Sequence, residues 1–350
     1  MLNKTLPLSL VLMSALLPAG ASSSNEEVVP ANEDAASQEI VQMIEESIRA
    51  EAKNGLARRN AHAKAHGCVQ AQFRVLDNLP EEVRIGIFGE ARAYPAWIRY
   101  SNGSGKVQDD SVGDARGMAI KLMGVERSDS STQDFLMISH PVFFVRNAAD
   151  YVEFQKTFAE DSPLKFFFPG FNPFNFRLHE FRIANAIRGT KVSNPLYARY
   201  WSTTPYRFGD TEMKFSARAC GGMTPFVETA APNFLRENMQ KHLAQSEACF
   251  DFLVQLRKLP TEMPIEDPTI EWSEKDSPFI PVARITIPVQ AFTSPEQLAF
   301  CENLFFTPWH TIPEHQPLGG INRVRKTVYD TSSRVRHELN GDKRREPAGF

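Results

Sequence analysis

The sequence predicts an α+β fold, a closed β-barrel or sandwich with helices laid against it. Three observations predict it. Apolar and polar residues alternate in several short runs, clusters of Gly, Pro, Asn and Asp separate those runs, and two longer segments carry apolar residues at helical spacing instead. The 350 residues, 42% hydrophobic with 26 Phe, are enough for one large domain with a sizeable core. A formal net charge of −3 argues against nucleic-acid binding, because gripping phosphates takes a basic surface.

Residues 1–21 have the layout of a secretory signal. Lys4 supplies the positive start, Leu6 to Leu17 is apolar, and Ala19-Gly20-Ala21 offers small residues for cleavage. The apolar run is shorter than the roughly 20 residues a spanning helix needs, so the expectation is a periplasmic or secreted protein with no stable membrane span after signal removal. Residues 22–37 are Ser, Asn, Glu and Ala with little to bury, and read as a polar, acidic linker. In the segment from Gln38 to Lys53, Ile40, Met43, Ile44 and Ile48 fall on one helical face.

Period-two alternation then takes over. It is clearest in Phe250, Phe252, Val254 and Leu256, and in Met118, Ile120 and Leu122; strands are also expected at Ala71–Val75, Trp97–Ser101, Phe135–Val145, Lys214–Ala219 and Val282–Pro288. The run Phe166 to Phe176 is too rich in Pro for regular structure, and its rings are expected to pack as a loop over the barrel or to line an apolar entrance. Cys68, Cys220, Cys249 and Cys301 admit three pairings, or four buried thiols. The folded domain is expected to span residues 38–340, with a polar tail at 341–350.

Asn322 to His337 contains neither Pro nor Gly, follows Pro317-Leu318-Gly319-Gly320 and precedes Asn340-Gly341, which delimits a last helix. At 100° per residue, Arg325, Tyr329, Ser332 and Arg336 share a narrow sector, so one face carries cation, phenol, hydroxyl and cation. A solvated basic face has the same spacing. Near the other end, His62 and His66 stand in a segment dense in titratable groups. They suit a general base, a metal pair completed by His310, Glu314 or His315, or ordinary polar residues at a strand entrance.

Arg325-Lys326-Thr327-Val328-Tyr329-Asp330-Thr331 resembles the proximal signature of the haem catalase superfamily. Five other segments resemble that family in the same order: Arg59 with His62-Ala63-Lys64 and Gly67; Arg99-Tyr100-Ser101; Asp114-Ala115-Arg116-Gly117-Met118-Ala119-Ile120-Lys121; His140-Pro141-Val142-Phe143-Phe144-Val145-Arg146; and Tyr151. The resemblance spans Arg58 to His337. It implies an eight-stranded antiparallel barrel with flanking helices and haem b buried between the barrel and the last helix. On that pattern Tyr329 is the axial ligand of the haem iron and Arg325 favours its phenolate, while Arg59, Arg99 and Arg336 hold propionates. Tyr151 stacks on the porphyrin, His62 is the distal acid/base, and Ser101 orients it.

One departure bears on chemistry. Catalases place a distal Asn just before Pro-x-Phe-Phe, whereas Met137-Ile138-Ser139-His140 contains none; Ser139 or His140 is the expected stand-in. Ending soon after the proximal helix, the sequence resembles the small catalase-like branch, which includes allene oxide synthases. The resemblance implies a haem-dependent oxidoreductase acting on hydrogen peroxide or an organic hydroperoxide. Two alternatives are an enzyme that isomerises or cleaves fatty-acid hydroperoxides and an exported barrel that binds haem or an apolar ligand without turnover.

Overall fold

The computed structural model describes residues 27–53, 55–126, 128–160, 162–221 and 231–347; the expected signal segment lies outside them. Nine strands form one antiparallel sheet: β1 (Ala65–Val75), β2 (Ala93–Asn102), β3 (Arg116–Met123), β4 (Thr132–Ile138), β5 (Arg199–Trp201), β6 (Tyr206–Phe208), β7 (Thr211–Ala219), β8 (Ala248–Leu256) and β9 (Ile280–Ile287). Neighbours run β5-β4-β3-β2-β1-β9-β8-β7-β6, and pairing of β5 with β7 closes the circle through eight strands, leaving β6 as a hairpin partner of β7. Closure removes the exposed edges that an open sheet must protect. The expected alternation sets the faces: Phe73, Phe135, Phe215 and Phe252 meet in the barrel with ring centroids 4.7–6.1 Å apart.

Three expected boundaries move. The strand expected to run to Val145 ends at Ile138, because Pro141 cannot donate to a ladder and the chain bends away after Ser139. The first helix, α1 (Glu33–Ala52), begins five residues before Gln38, inside the stretch read as linker. Its start is tied down by Arg323, which pairs with Glu27, Glu33 and Glu266 and so gives acidic residues a reason to be ordered. Part of the expected polar tail also docks: the Arg345 amide donates to the Asn303 carbonyl at 3.0 Å, and Glu346 reaches the buried Lys121 at 2.9 Å.

The remaining helices are α2 (Ala148–Ala159), α3 (Leu164–Phe167), α4 (Leu178–Gly189), α5 (Phe234–Leu243), α6 (Pro295–Asn303) and α7 (Gly320–Asn340). Helix α7 ends where Gly341 adopts a left-handed conformation, φ 68°, and caps it. Ile40, Ile44 and Ile48 of α1 pack with Val324 and Val335 of α7 and Val152 of α2 in a second core outside the barrel. Burial of each such aliphatic side chain contributes about 1.5–3 kcal/mol, so this apolar seam presses α7 towards the sheet. Cys68 is bridged to Cys301, joining β1 to α6, and Cys220 to Cys249, joining the ends of β7 and β8. The Phe-rich run is more regular than expected: α3 is followed by two tight turns at Pro169–Phe171 and Pro173–Asn175, each opened by a proline already set in helical φ.

Candidate functional site

Between the barrel wall and α7 lies a cavity of about 340 Å³. Its lining includes the eight residues to which the resemblance gives cofactor or catalytic roles: Arg59, His62, Arg99, Ser101, Tyr151, Arg325, Tyr329 and Arg336. The expected face of α7 is the face that lines it, since Arg325, Tyr329, Ser332 and Arg336 all border the space.

His62 lies in the loop before β1, at φ 59°, a conformation that costs a non-glycine residue about 1–2 kcal/mol. Two ladder-like bonds hold it there, from the His62 amide to the Gly103 carbonyl and from the Ala63 amide to the Ser104 carbonyl, at 2.9 and 3.1 Å. Its Nδ1 is 3.0 Å from Ser101 Oγ on β2. Gly117, on the adjacent strand, makes this pairing sterically possible: a Cβ there would stand 2.6 Å from Nδ1 and 2.8 Å from Oγ. Burial, with Arg99 next in weight, lowers the His62 pKa to about 4.

His66, four residues on, turns away. Its Nε2 is 3.0 Å from Asn102 Oδ1, in a buried network where Asn102 also meets Asp110 and Arg116, and Lys64 Nζ is 2.7 Å from Asp110. Burial lowers its pKa to about 3. His310 pairs with Lys121 and Asp134, and His315 packs against Phe88 and Phe208 in the barrel. The metal pair weighed for His62 and His66 is therefore not assembled, and no metal-like cluster of His, Cys, Asp and Glu occurs among the described residues.

At one corner of the cavity two arginines converge on a single carboxylate, and a third lies close by. Arg59 Nη1 reaches Glu302 Oε1 at 2.9 Å, Arg336 Nη1 reaches the same oxygen at 3.2 Å, and Arg99 Nη2 donates to the His62 carbonyl at 2.8 Å. Burial first, then the neighbouring Arg59, pushes the Arg336 pKa down to about 9 and that of Arg99 well below the usual range. Burial opposes the charge of Glu302, yet Arg59, Arg99 and Arg336 hold its carboxyl below its ordinary value. The Nε atoms of Arg99 and Arg336 are buried without a hydrogen-bond partner. Such a corner is short of negative charge and of acceptors. Glu302 carried no signal in the sequence, and it is brought here on the last turn of α6, beside the Cys68–Cys301 bridge.

Around Tyr329 the surroundings are aromatic and cationic. Arg325 donates to Thr204 Oγ1 and Asn322 Oδ1, both at 3.2 Å, and stacks 5.4 Å above the Phe143 ring. Tyr151 and Tyr206 both sense Tyr329 electrostatically, and burial raises each of them to about 12. The wall nearest the missing amide is apolar, made by Leu136, Met137 and Ile138. Neither expected stand-in reaches it. Ser139 Oγ accepts the Arg116 amide proton at 2.9 Å, and His140 folds back on Val142 at 3.2 Å. After Ile138 the chain has left the sheet, so the alternation that would aim Ser139 inward no longer applies.

Residues 22–170 match a family model described as catalase. The solved structures similar to this one include a fungal catalase, with a TM-score of 0.68 at 18% identity over 84% of this chain and 62% of that one. Catalase A from Saccharomyces cerevisiae gives 0.66 at 18% identity over 86% of this chain and 68% of its own. A bacterial catalase gives 0.66 at 16% identity over 96% and 67%. The chain is similar to the catalase family over residues 22–170 and shares the fold of these solved catalases. No curated protein matches the sequence. The chain spans about 62% of the length of the fungal catalase. The eight-stranded circle with flanking helices is the catalase-like fold that the order of motifs implied.

Proposed function

We propose that this chain is an exported, haem-dependent enzyme acting on peroxides, with Tyr329 as axial ligand of the iron and His62 as distal acid/base. The observation that carries the reading is the cavity itself, which draws a phenol on α7, an imidazole on the barrel wall and three arginines at one corner from distant parts of the chain. The residues fit the cofactor. Two propionates would supply the acceptors that Arg99 and Arg336 lack at Nε, and offset the crowding of Arg59, Arg99 and Arg336 around one Glu302. Arg325, one helical turn before Tyr329, lines the same cavity wall. The stacked position falls to Tyr151.

When bound, the haem would supply the redox chemistry of O–O cleavage, and Tyr329 is the residue that would hold its iron. His62 does the proton work. With a pKa of about 4 it is neutral at pH 7, so a ring nitrogen can accept a proton from the incoming peroxide and return it to the departing oxygen. Ser101, bonded to Nδ1, fixes the ring for both transfers. The Leu136–Ile138 wall offers no amide to hold hydrogen peroxide, which favours an organic hydroperoxide as the better substrate. Two disulfides support export, since such bonds persist in oxidising compartments.

The deciding experiment compares absorption spectra of haem-supplemented wild type and Tyr329→Phe. A high-spin ferric spectrum with a phenolate charge-transfer band, lost in the variant, is expected; identical spectra would remove Tyr329 as ligand. Turnover of hydrogen peroxide beside a fatty-acid hydroperoxide, at equal haem occupancy, separates the two substrate classes, and fast oxygen release from hydrogen peroxide alone would defeat the organic one. Loaded protein that consumes neither would return the chain to a carrier.

A further inference from the structure

The three exposed phenylalanines among the described residues lie within one stretch: Phe158 is 49% exposed, Phe171 81% and Phe174 97%. Leu164 and Leu178, in the same stretch, are also exposed. Exposed aliphatic residues elsewhere are scattered, but a concentration of this kind marks a surface that meets something apolar.

The tip is built to keep its rings outside. Gly170 and Phe171 adopt successive left-handed conformations, φ 58° and 52°, and prolines open the two turns around them. The Phe171 amide donates to the Phe168 carbonyl at 3.1 Å, and Asn172 Oδ1 accepts from the Phe174 amide at 3.2 Å. Below the tip the rings form an unbroken series. Phe168 meets Phe176 and Phe181, Phe181 meets Phe167, and contacts continue through Phe166 and Phe154 to Phe144, each at 4.8–5.5 Å. Phe144 lines the cavity. An aromatic column thus runs from the cavity wall to Phe168 and Phe176, the residues that flank the exposed tip.

Charge indicates the partner. From Lys156 to Lys191 there are six Lys and Arg against three Asp and Glu, whereas the whole chain has a formal net charge of −3. Lys156, Lys165 and Arg177 pair with Glu39, Glu160 and Glu153, while Arg182 and Arg188 are exposed on α4, the helix that follows the tip along the chain. A rigid pair of phenylalanines flanked by cations suits the headgroup region of an anionic bilayer, where rings enter the acyl boundary and cations meet phosphates. We propose that the Phe171–Phe174 tip inserts into an anionic lipid surface, bringing the Phe144 wall of the cavity towards the membrane. This docking does not depend on the reading of Tyr329, so it can be tested with or without haem.

The test is flotation of the whole mature protein with vesicles of phosphatidylcholine alone or mixed equally with phosphatidylglycerol. Binding to the anionic vesicles, weakened by salt, is expected, with the partition coefficient falling about tenfold for each of Phe171→Ser and Phe174→Ser. Unchanged melting temperature and far-ultraviolet circular dichroism in these variants would show that the fold survives. Wild type that does not float, floats equally with uncharged vesicles, or floats equally well without both rings overturns the proposal. So does sedimentation velocity that finds a dimer abolished by the same substitutions, since a second copy would then be what covers the tip.

Discussion

His62 and His66 are four residues apart, and both have their pKa pushed down by burial, yet His62 keeps part of its surface open and His66 almost none, and they belong to different machines. His62 borders the cavity, held by one serine hydroxyl; His66 is enclosed among Asn102, Asp110, Arg116 and Lys64. The comparison teaches that a depressed pKa does not identify a catalytic group. What distinguishes the two is access to open space and how many other bonds depend on the ring.

Five experiments can break or sharpen that contrast. His62→Ala is expected to reduce peroxide turnover about 10²- to 10⁴-fold while leaving the thermal midpoint nearly unchanged; full turnover would end its role as acid/base. His66→Ala should do the reverse, destabilising by about 2–3 kcal/mol because Asn102 loses a buried partner, read as a lower Tm with turnover per haem preserved. Acid titration addresses both rings together with His315, also lowered to about 4 by burial. Each binds its proton near pH 6.5 when unfolded but only near 3–4 when folded. Stability from these groups is therefore complete above pH 6.5 and is lost below it, by about 1.4 kcal/mol per pH unit per histidine. Denaturant midpoints that stay flat between pH 6.5 and 4.5 would contradict the sign. The smallest effects are expected nearest His62: Ser101→Ala lowers turnover about fivefold, the worth of one hydrogen bond, and Ser139→Asn leaves hydrogen peroxide turnover within about twofold, because that side chain points at the Arg116 amide. A large gain from Ser139→Asn would mean the wall is shaped differently.

Much of this was legible because periodicity and physical facing coincide. The sector of α7 bearing Arg325, Tyr329, Ser332 and Arg336 became the cavity wall, since a helix keeps its angular order wherever it is packed. The barrel followed from alternation, although β5 and β6, three residues each, were too short to leave a pattern. What escaped depended on contacts between remote segments. Glu302 matters because Arg59 and Arg336 meet it, 243 and 34 residues away along the chain. The order of Glu33 comes from Arg323, 290 residues distant, and no local composition announces it. Ser139 misled because the strand ends one residue before it, which is the kind of boundary local propensity fixes least well.

The bridge between Cys68 and Cys301 joins residues separated by 233 positions. It anchors α6, and the residues just beyond it, Glu302 and Leu304, receive the guanidinium of Arg59. Since α7 follows later still, a nascent chain owns the imidazole wall long before it owns the phenol or the oxidised clasp beside the arginine corner. On the proposed reading, sheet closure, thiol oxidation and arrival of the final helix would all precede tight capture of haem, and acquisition of colour during refolding is then expected to track formation of this crosslink.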